Sequence, residues 1–332
     1  MYPVRQLRPQ ALAGPSARRA MPGAASRRLR AVLMGPLRPA RVLGVFPAVV
    51  YLLHEGGAVV AVCATDAVRL PNSVVLAAPR AAAPFADVEV TGPAWLGAGR
   101  LRAGPLAVTV TRWWTPRRPL PVSGTDALGA GLGVLEAAMV PSGLPQAALA
   151  DLDGLVGGAG QGDLDRAARA ASRLVGLGPG LTPSGDDVLA GFLVAHRHLT
   201  PPAHPLAGFA GALAARLGAV ADGRTTALSA DLLGHAARGE GCPQLIGLVE
   251  AVAGHASVAS RLGDLLPVGH TSGADLALGV AAAARAVLGT DAPPPAPRPG
   301  PPWPLVRCPS RAASDTPLAG PVPPYPLGEE IS

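Results

Sequence analysis

The stretch G-L-G-P-G-L-T-P-S-G-D-D-V-L-A-G at residues 176–191 decides how the rest of the chain is read. A glycine-rich loop runs directly into an apolar, helix-like pattern. Gly176, Gly178, Gly180 and Gly185 can take positive φ or let a ligand approach backbone that a Cβ would shield. Thr182 or Ser184 can cap the helix that follows. With Thr182 as cap, Pro183 falls at the first helical position, where its missing N–H costs nothing and its φ is already set. Asp186 and Asp187 then stand in the first turn, beside unpaired N–H groups suited to an anion or a carboxyl-like ligand.

The pattern returns. Ser184-Gly185-Asp186-Asp187 leads to Gly191, and Ser272-Gly273-Ala274-Asp275 leads to Gly279, so Ser, Gly, Asp and the distal Gly all align. Ser123-Gly124-Thr125-Asp126 is a weaker third instance without the distal glycine. Helix starts prefer Ser caps and first-turn Asp anyway, at about 0.3 to 1 kcal/mol each. Capping does not need the extra glycines of the first copy, which therefore reads as a ligand site.

Charge restricts that ligand. A carboxylate about 5 Å from a phosphate repels it by roughly 3 kcal/mol at an effective dielectric of 20. Either the Asp side chains point away, or a divalent ion such as Mg²⁺ sits between, or they accept hydrogen bonds from an amide or carbamoyl NH2 group. Arg224-Thr225-Thr226 opens a later helical stretch, and Arg224 could grip a carboxylate or merely cover a helix end. His270 precedes Thr271-Ser272-Gly273 on the second loop and can serve catalysis or structure. His196 and His198 lie two apart on a helix, so they face different ways and make poor joint metal ligands. No H-E-x-x-H, Cys/His cluster or G-x-S-x-G elbow is present, which weighs against a zinc enzyme or an α/β-hydrolase.

Outward from the motif, the chain divides into an α+β arrangement. Residues 42–120 read as a small antiparallel β-rich part, with strands at 48–53, 58–63, 74–77, 88–90 and 106–111 and a hairpin turn at Glu55-Gly56-Gly57. Trp113 and Trp114 close this part as core anchors or a stacking surface. Residues 121–289 read as an all-α part of about eight helices, at 127–140, 164–175, 188–199, 206–220, 226–237, 244–253, 258–266 and 276–288. Asp163 is the expected cap of the second of these. Their faces are rich in Ala and Gly, which favours close helix packing.

Residues 1–41 carry nine Arg and no acid, without a sustained period, and read as a disordered leader or an over-extended start with Met21 or Met34 as alternatives. Residues 290–332 hold fourteen Pro and read as an extended tail. Those nine Arg exceed the net charge of +6, so the middle of the chain is not basic and a nucleic-acid partner is not expected. Lys is absent, which excludes a Lys Schiff base and a P-loop lysine. Three scattered Cys without a C-x-x-C pair fit a reducing cytoplasm, and no signal peptide or membrane span is expected.

The loop motif with its helix, the R-T-T helix start and V-G-H-T-S-G-A-D at 268–275 together resemble the AllH-like family, named for the AllH subunit of bacterial oxamate carbamoyltransferase. The resemblance covers roughly residues 41–289. It implies a subunit of a complex that exchanges a carbamoyl group between oxalurate and phosphate, a transferase role in purine or allantoin nitrogen breakdown. Other subunits of that complex are the implied protein partners. It supplies no catalytic residues, so roles come from chemistry. Gly178, Gly180, Gly185 and Gly273 offer backbone, while Thr182, Ser184, Asp186, Thr225 and Ser272 offer polar contacts to a small ureido or carbamoyl substrate. Asp187 and Asp275 would accept from its NH2 group or place Mg²⁺, Arg224 would hold the oxamate carboxylate, and His270 would polarise the carbonyl. The alternative is a non-catalytic binding or scaffolding subunit.

Overall fold

A computed structural model describes residues 20–289, so the expectations for residues 1–19 and 290–332 lie outside the described part. The described part begins with eight strands: β1 (Met21–Ser26), β2 (Arg38–Val45), β3 (Val49–His54), β4 (Val59–Cys63), β5 (Ser73–Leu76), β6 (Pro93–Gly97), β7 (Arg100–Ala103) and β8 (Leu106–Trp114). They close into a barrel in the order β1-β5-β4-β3-β2-β6-β7-β8. β1 runs parallel to β8 and β4 parallel to β5, while the other neighbours are antiparallel. The β part is therefore a mixed, closed barrel rather than a small antiparallel region. Closure leaves no edge strand.

Residues 21–41 are the main correction to the sequence reading. They form β1, a short 3-10 turn, α1 (Arg30–Met34) and the first half of β2 instead of a disordered leader. β1 reads Met-Pro-Gly-Ala-Ala-Ser and shows no strand propensity, because small residues are what its place requires. A Cβ on Gly23 would come within 2.8 Å of Val108 and 2.9 Å of Val74. The leader arginines also serve the fold. Arg28 pairs with Glu240, and Arg30 lies 5.3 Å above the Trp113 ring.

Alternation along the strands fills the barrel with residues such as Val50, Leu52, Val62, Val74, Leu96 and Leu101. β4 is buried on both faces: Val60 and Val62 point into the barrel, while α7 packs on its outer side. The expected strand at 88–90 is a turn region, and the β6–β7 hairpin escaped notice. That hairpin turns through Ala98 and Gly99, both at positive φ. Trp113 packs against the barrel core and Trp114 donates its indole N–H to the Ala24 carbonyl at 3.2 Å, so both anchor the barrel.

Nine further helices follow among the described residues: α2 (Thr125–Ala138), α3 (Leu149–Gly160), α4 (Leu164–Leu174), α5 (Ser184–Leu199), α6 (Phe209–Ala221), α7 (Ala227–Ala237), α8 (Pro243–Val252), α9 (Val258–Leu265) and α10 (Ser272–Gly289). The unanticipated one is α3, whose Gly154, Gly157, Gly158 and Gly160 look like helix breakers. In the fold Gly158 lies where a Cβ would come within 2.6 Å of the Ala167 backbone of α4, and Gly160 faces Ala286 of α10 at 3.2 Å. Asp163 caps α4 as expected, accepting from the Arg166 N–H at 2.9 Å. α10 is long and apolar enough to span a membrane by length and composition, yet it is the central helix here, with 78% of that span buried.

Candidate functional site

The repeated motif builds a helix crossing. α5 and α10 share the most extensive helix contact in the molecule. A Cβ on Gly191 of α5 would collide with the Leu276 carbonyl of α10, and one on Gly279 of α10 would collide with the Val188 carbonyl of α5. The relation is reciprocal: the distal glycine of each copy meets the fifth residue of the other. The second glycine of each copy is equally tight. Gly185 packs on the carbonyl of Leu174 at the end of α4, and Gly273 on that of Leu265 at the end of α9.

The serines are exchanged in the same way, while each threonine serves the Asp of its own copy. Asp187 of α5 is served by the hydroxyls of Ser272 and Thr182, and Asp275 of α10 by those of Ser184 and Thr271. Thr182 and Ser272 also approach each other, Oγ1 to Oγ at 3.2 Å. Neither Thr182 nor Ser184 caps its own helix. Pro183 occupies the cap position of α5, and the sequence-based cap is corrected accordingly. Five of the eight first-turn N–H groups are already used. Gly185 donates to the Leu177 carbonyl at 2.8 Å, and Asp186 and Asp187 donate to the Pro183 carbonyl at 2.9 and 3.1 Å. In α10, Gly273 donates to Val268 at 2.8 Å and Asp275 to Thr271 at 2.9 Å. These helix starts are not the open anion sites that their sequence suggests.

Asp186 faces away from its neighbour and ties the loop down. Its Oδ1 accepts from the Gly176 N–H at 2.9 Å and its Oδ2 from the Thr225 hydroxyl. Gly176, at φ 74°, lies against the carbonyl of Arg224, which explains why that position needs glycine. The Arg224 side chain itself is exposed and does not line the cavity.

That cavity, of about 690 Å³, lies between the barrel and the helices. Gly180, Thr182, Ser184, Asp187, His270 and Ser272 all line it, so the structure brings the core of the sequence-derived site together. Gly178, Gly185, Asp186, Thr225, Gly273 and Asp275 stand behind the wall and shape it. His270 is exposed at the rim. Asp187 is only 8% exposed, and its Oδ2 has no hydrogen-bond partner. Burial pushes its carboxyl up to about 7, the Ser272 and Thr182 hydroxyls oppose this, and the charges of Asp275 and Asp186 add to it. Asp275 is raised too, chiefly by burial, but it is fully enclosed and accepts the Gly143 N–H at 2.7 Å.

Four wall residues were missed in the sequence. Tyr51 of β3 projects in from the barrel, its phenol pushed well up by burial, with Cys63 and Asp187 contributing. Cys242 precedes Pro243 at the start of α8 and is buried, as is Cys63; both are free thiols. Gly143 lies where a Cβ would come within 2.9 Å of the Thr271 hydroxyl and collide with that of Ser184. Glu240 belongs to a polar network that joins barrel to helices. It accepts from His235 at 2.9 Å and pairs with Arg28, while His235 reaches Asp231 at 3.7 Å and Asn72 donates to Asp231 at 2.7 Å. Burial would raise the Glu240 carboxyl, but His235 and Arg28 outweigh it and hold it low. Only the loop around Gly143 carried a readable signal, the Pro-Ser-Gly turn at 141–143.

His196 and His198 go separate ways, as expected. His196 is buried between Phe192 and Phe209, its imidazole pushed down to about 4 by burial, and His198 Nε2 meets the Gly239 carbonyl at 2.8 Å. Among the described residues no three His, Cys, Asp or Glu side chains are grouped to hold a metal ion.

The fold and site define a two-part protein: a closed mixed barrel and a helical bundle that meet at a cavity whose polar end is made by two crossed copies of one motif. The family model described as Oxamate carbamoyltransferase subunit AllH matches residues 174–284, which span both copies, and leaves the barrel, α2, α3 and all but the last residue of α4 outside. The resemblance carried by the motif is thereby found on that span. No solved structure matches the chain.

Proposed function

We propose that the chain is a subunit of an oxamate carbamoyltransferase-type complex and that its cavity receives the NH2 end of a carbamoyl or ureido ligand. The observation that carries this reading is Asp187, a buried carboxylate with one unpartnered oxygen on the cavity wall, within the family-matched span. An unsatisfied buried acceptor is costly and is relieved by a donor. Thr182 and Ser272 donate their hydroxyls to Asp187 and so orient it for the ligand, and His270 at the rim can polarise the ligand's carbonyl. Asp275 acts as a positioning residue, fixing Ser184 and Thr271 from behind.

In the implied exchange, a phosphate oxygen attacks the carbamoyl carbon of oxalurate, the bond from that carbon to the oxamate nitrogen breaks, and that nitrogen gains a proton. This wall offers phosphate no cation: no Arg lines the cavity among the described residues, and Lys is absent from the sequence. The oxamate carboxylate has no partner in Arg224 either. We therefore assign anion binding to partner subunits of the complex, in a cytoplasmic pathway of purine or allantoin nitrogen breakdown. The same lack of a wall cation favours a second reading, a subunit that binds ligand without performing chemistry.

Asp187→Asn in the reconstituted complex tests the first reading. Carbamoyl transfer is expected to fall at least tenfold, with the variant folded by circular dichroism. Transfer at the unaltered rate would sink the role of Asp187. A ligand that stabilises the isolated chain while transfer is unaffected would favour the second reading; at 100 times its dissociation constant it adds about 2.7 kcal/mol.

A further inference from the structure

The cavity is far larger and more apolar than a carbamoyl or ureido group requires. A molecule with six non-hydrogen atoms, such as oxamate, takes about the room of four waters, roughly 120 Å³ at about 30 Å³ each. The cavity holds about 690 Å³, within the range of roughly 300 to 1,000 Å³ typical of pockets for much larger ligands. Thr182, Ser184, Asp187 and Ser272 give it a polar end where the two motif copies cross, with Thr271 and His270 beside them and Tyr51, Glu240 and Cys242 elsewhere on the wall. Away from that end the wall is aliphatic, drawn from the barrel side by Val49 and Val68 and from the helices by Val194, Leu228, Leu232 and Leu245. Among the described residues the one other carboxylate on the wall, Glu240, is already engaged by Arg28 and His235.

We infer that the ligand of this cavity is amphipathic, an uncharged amide-type NH2 head seated at Asp187 and an apolar body of several carbon atoms lying along the aliphatic wall. The inference rests on the reading of Asp187 as the acceptor of an NH2 group. Three features carry it beyond that reading. The head is not an anion, because no Arg lines the wall among the described residues, Lys is absent from the sequence, and the N–H groups of Gly185, Asp186, Asp187, Gly273 and Asp275 are spent on backbone carbonyls. A negative charge about 5 Å from an ionised Asp187 would bind roughly 200-fold more weakly at an effective dielectric of 20. The head carries a donor, because Asp187 Oδ2 lacks one. The body is apolar, because nothing along Val194, Leu228, Leu232 and Leu245 can hydrogen-bond to it, while each buried methylene favours binding.

The test is titration calorimetry of the full chain with butylurea, hexylurea and octylurea, beside alkyl carboxylates of the same lengths and oxamate. The dissociation constant is expected to tighten about fourfold per added methylene. The carboxylates and oxamate are expected to bind at least a hundredfold more weakly than octylurea. Asp187→Asn should weaken every urea by about tenfold while leaving the dependence on length intact. Leu232→Trp, which fills the aliphatic end, should abolish the gain from hexyl to octyl without affecting butylurea. Affinity independent of length, or carboxylates that match the ureas, would overturn the inference. The two readings fail separately. If Asp187→Asn stops carbamoyl transfer but no alkylurea binds, the amphipathic ligand is refuted and the carbamoyl role stands. If the alkylureas bind with the expected length dependence and transfer ignores Asp187→Asn, the transfer role is lost and the pocket assignment survives.

Discussion

Asp187 and Asp275 occupy the same place in the two copies of the motif, four residues into helices that cross at matched glycines, yet they live in different surroundings. Asp275 is sealed: the turn at Gly143 lies over it, donates a backbone N–H and leaves it fully buried. Each carboxylate leaves its Oδ2 without a hydrogen-bond partner, but only Asp187 lacks such a cover and lines the cavity. The repeat therefore encodes the crossing, and the segment before α3 decides which copy is structural and which is open to a ligand. A duplicated motif needs only one asymmetric neighbour to give its halves different work.

The largest effect should come from removing what the copies share. Gly191→Ala or Gly279→Ala drives a methyl into the backbone of the other helix, and overpacking of this kind costs about 3 kcal/mol or more where neither backbone can yield. Denaturant unfolding of the two variants should show losses of similar size. A loss confined to one glycine would show that the crossing is not reciprocal.

Next in size is the contrast between the carboxylates. Asp275→Ala strands the Gly143 N–H and two hydroxyls in the interior, at about 2 to 3 kcal/mol. Asp187→Ala leaves its hydroxyl partners beside a cavity that water can enter, so the cost should stay below about 1 kcal/mol. Thermal unfolding of both variants checks the order, and equal losses would erase the distinction between a sealed and an open copy.

The smallest and most specific effect is on pH dependence. Burial pushes the Asp187 carboxyl up to about 7 from an ordinary value of 3.8, so the folded state holds its proton more tightly. The stability linked to that proton is fully present below about pH 4 and is lost as pH rises to about 7. Asp187→Asn mimics the protonated form. It should match the wild type near pH 4, flatten the decline and exceed it at pH 8, as followed by unfolding midpoints across that range. Identical pH profiles for the two proteins would remove Asp187 from the account.

Much of the site is legible because it repeats: the Ser, Gly, Asp and distal Gly align, and the Ser and distal Gly act in the crossing while Gly185 and Gly273 pack on the helices before them. What could not be read was where the hydroxyls point. Ser and Thr ahead of a helix favour capping by local rules, but here each Thr turns to its own copy's Asp and each Ser reaches the other copy's, a pairing that only tertiary structure creates. The helical part was legible from its periodicity except at α3, where four glycines that look like breakers are points of close approach to α4 and α10. The barrel was the least legible. β1 owes its place to the smallness of Gly23 and its neighbours, and a strand chosen for lack of bulk leaves no alternating hydrophobic signal.

β1 closes the barrel against β8, and the pairing of Gly23 with the region of Thr111 joins positions 88 residues apart. During synthesis at about 5 to 20 residues per second, the first strand waits roughly 4 to 18 seconds for the last to be made. Through that interval the Val-rich strands between them have an unpaired edge, and the barrel wall of the cavity cannot yet exist. The order of manufacture thus sets a period of vulnerability to chaperone capture or aggregation. It ends when Trp114 reaches the Ala24 carbonyl.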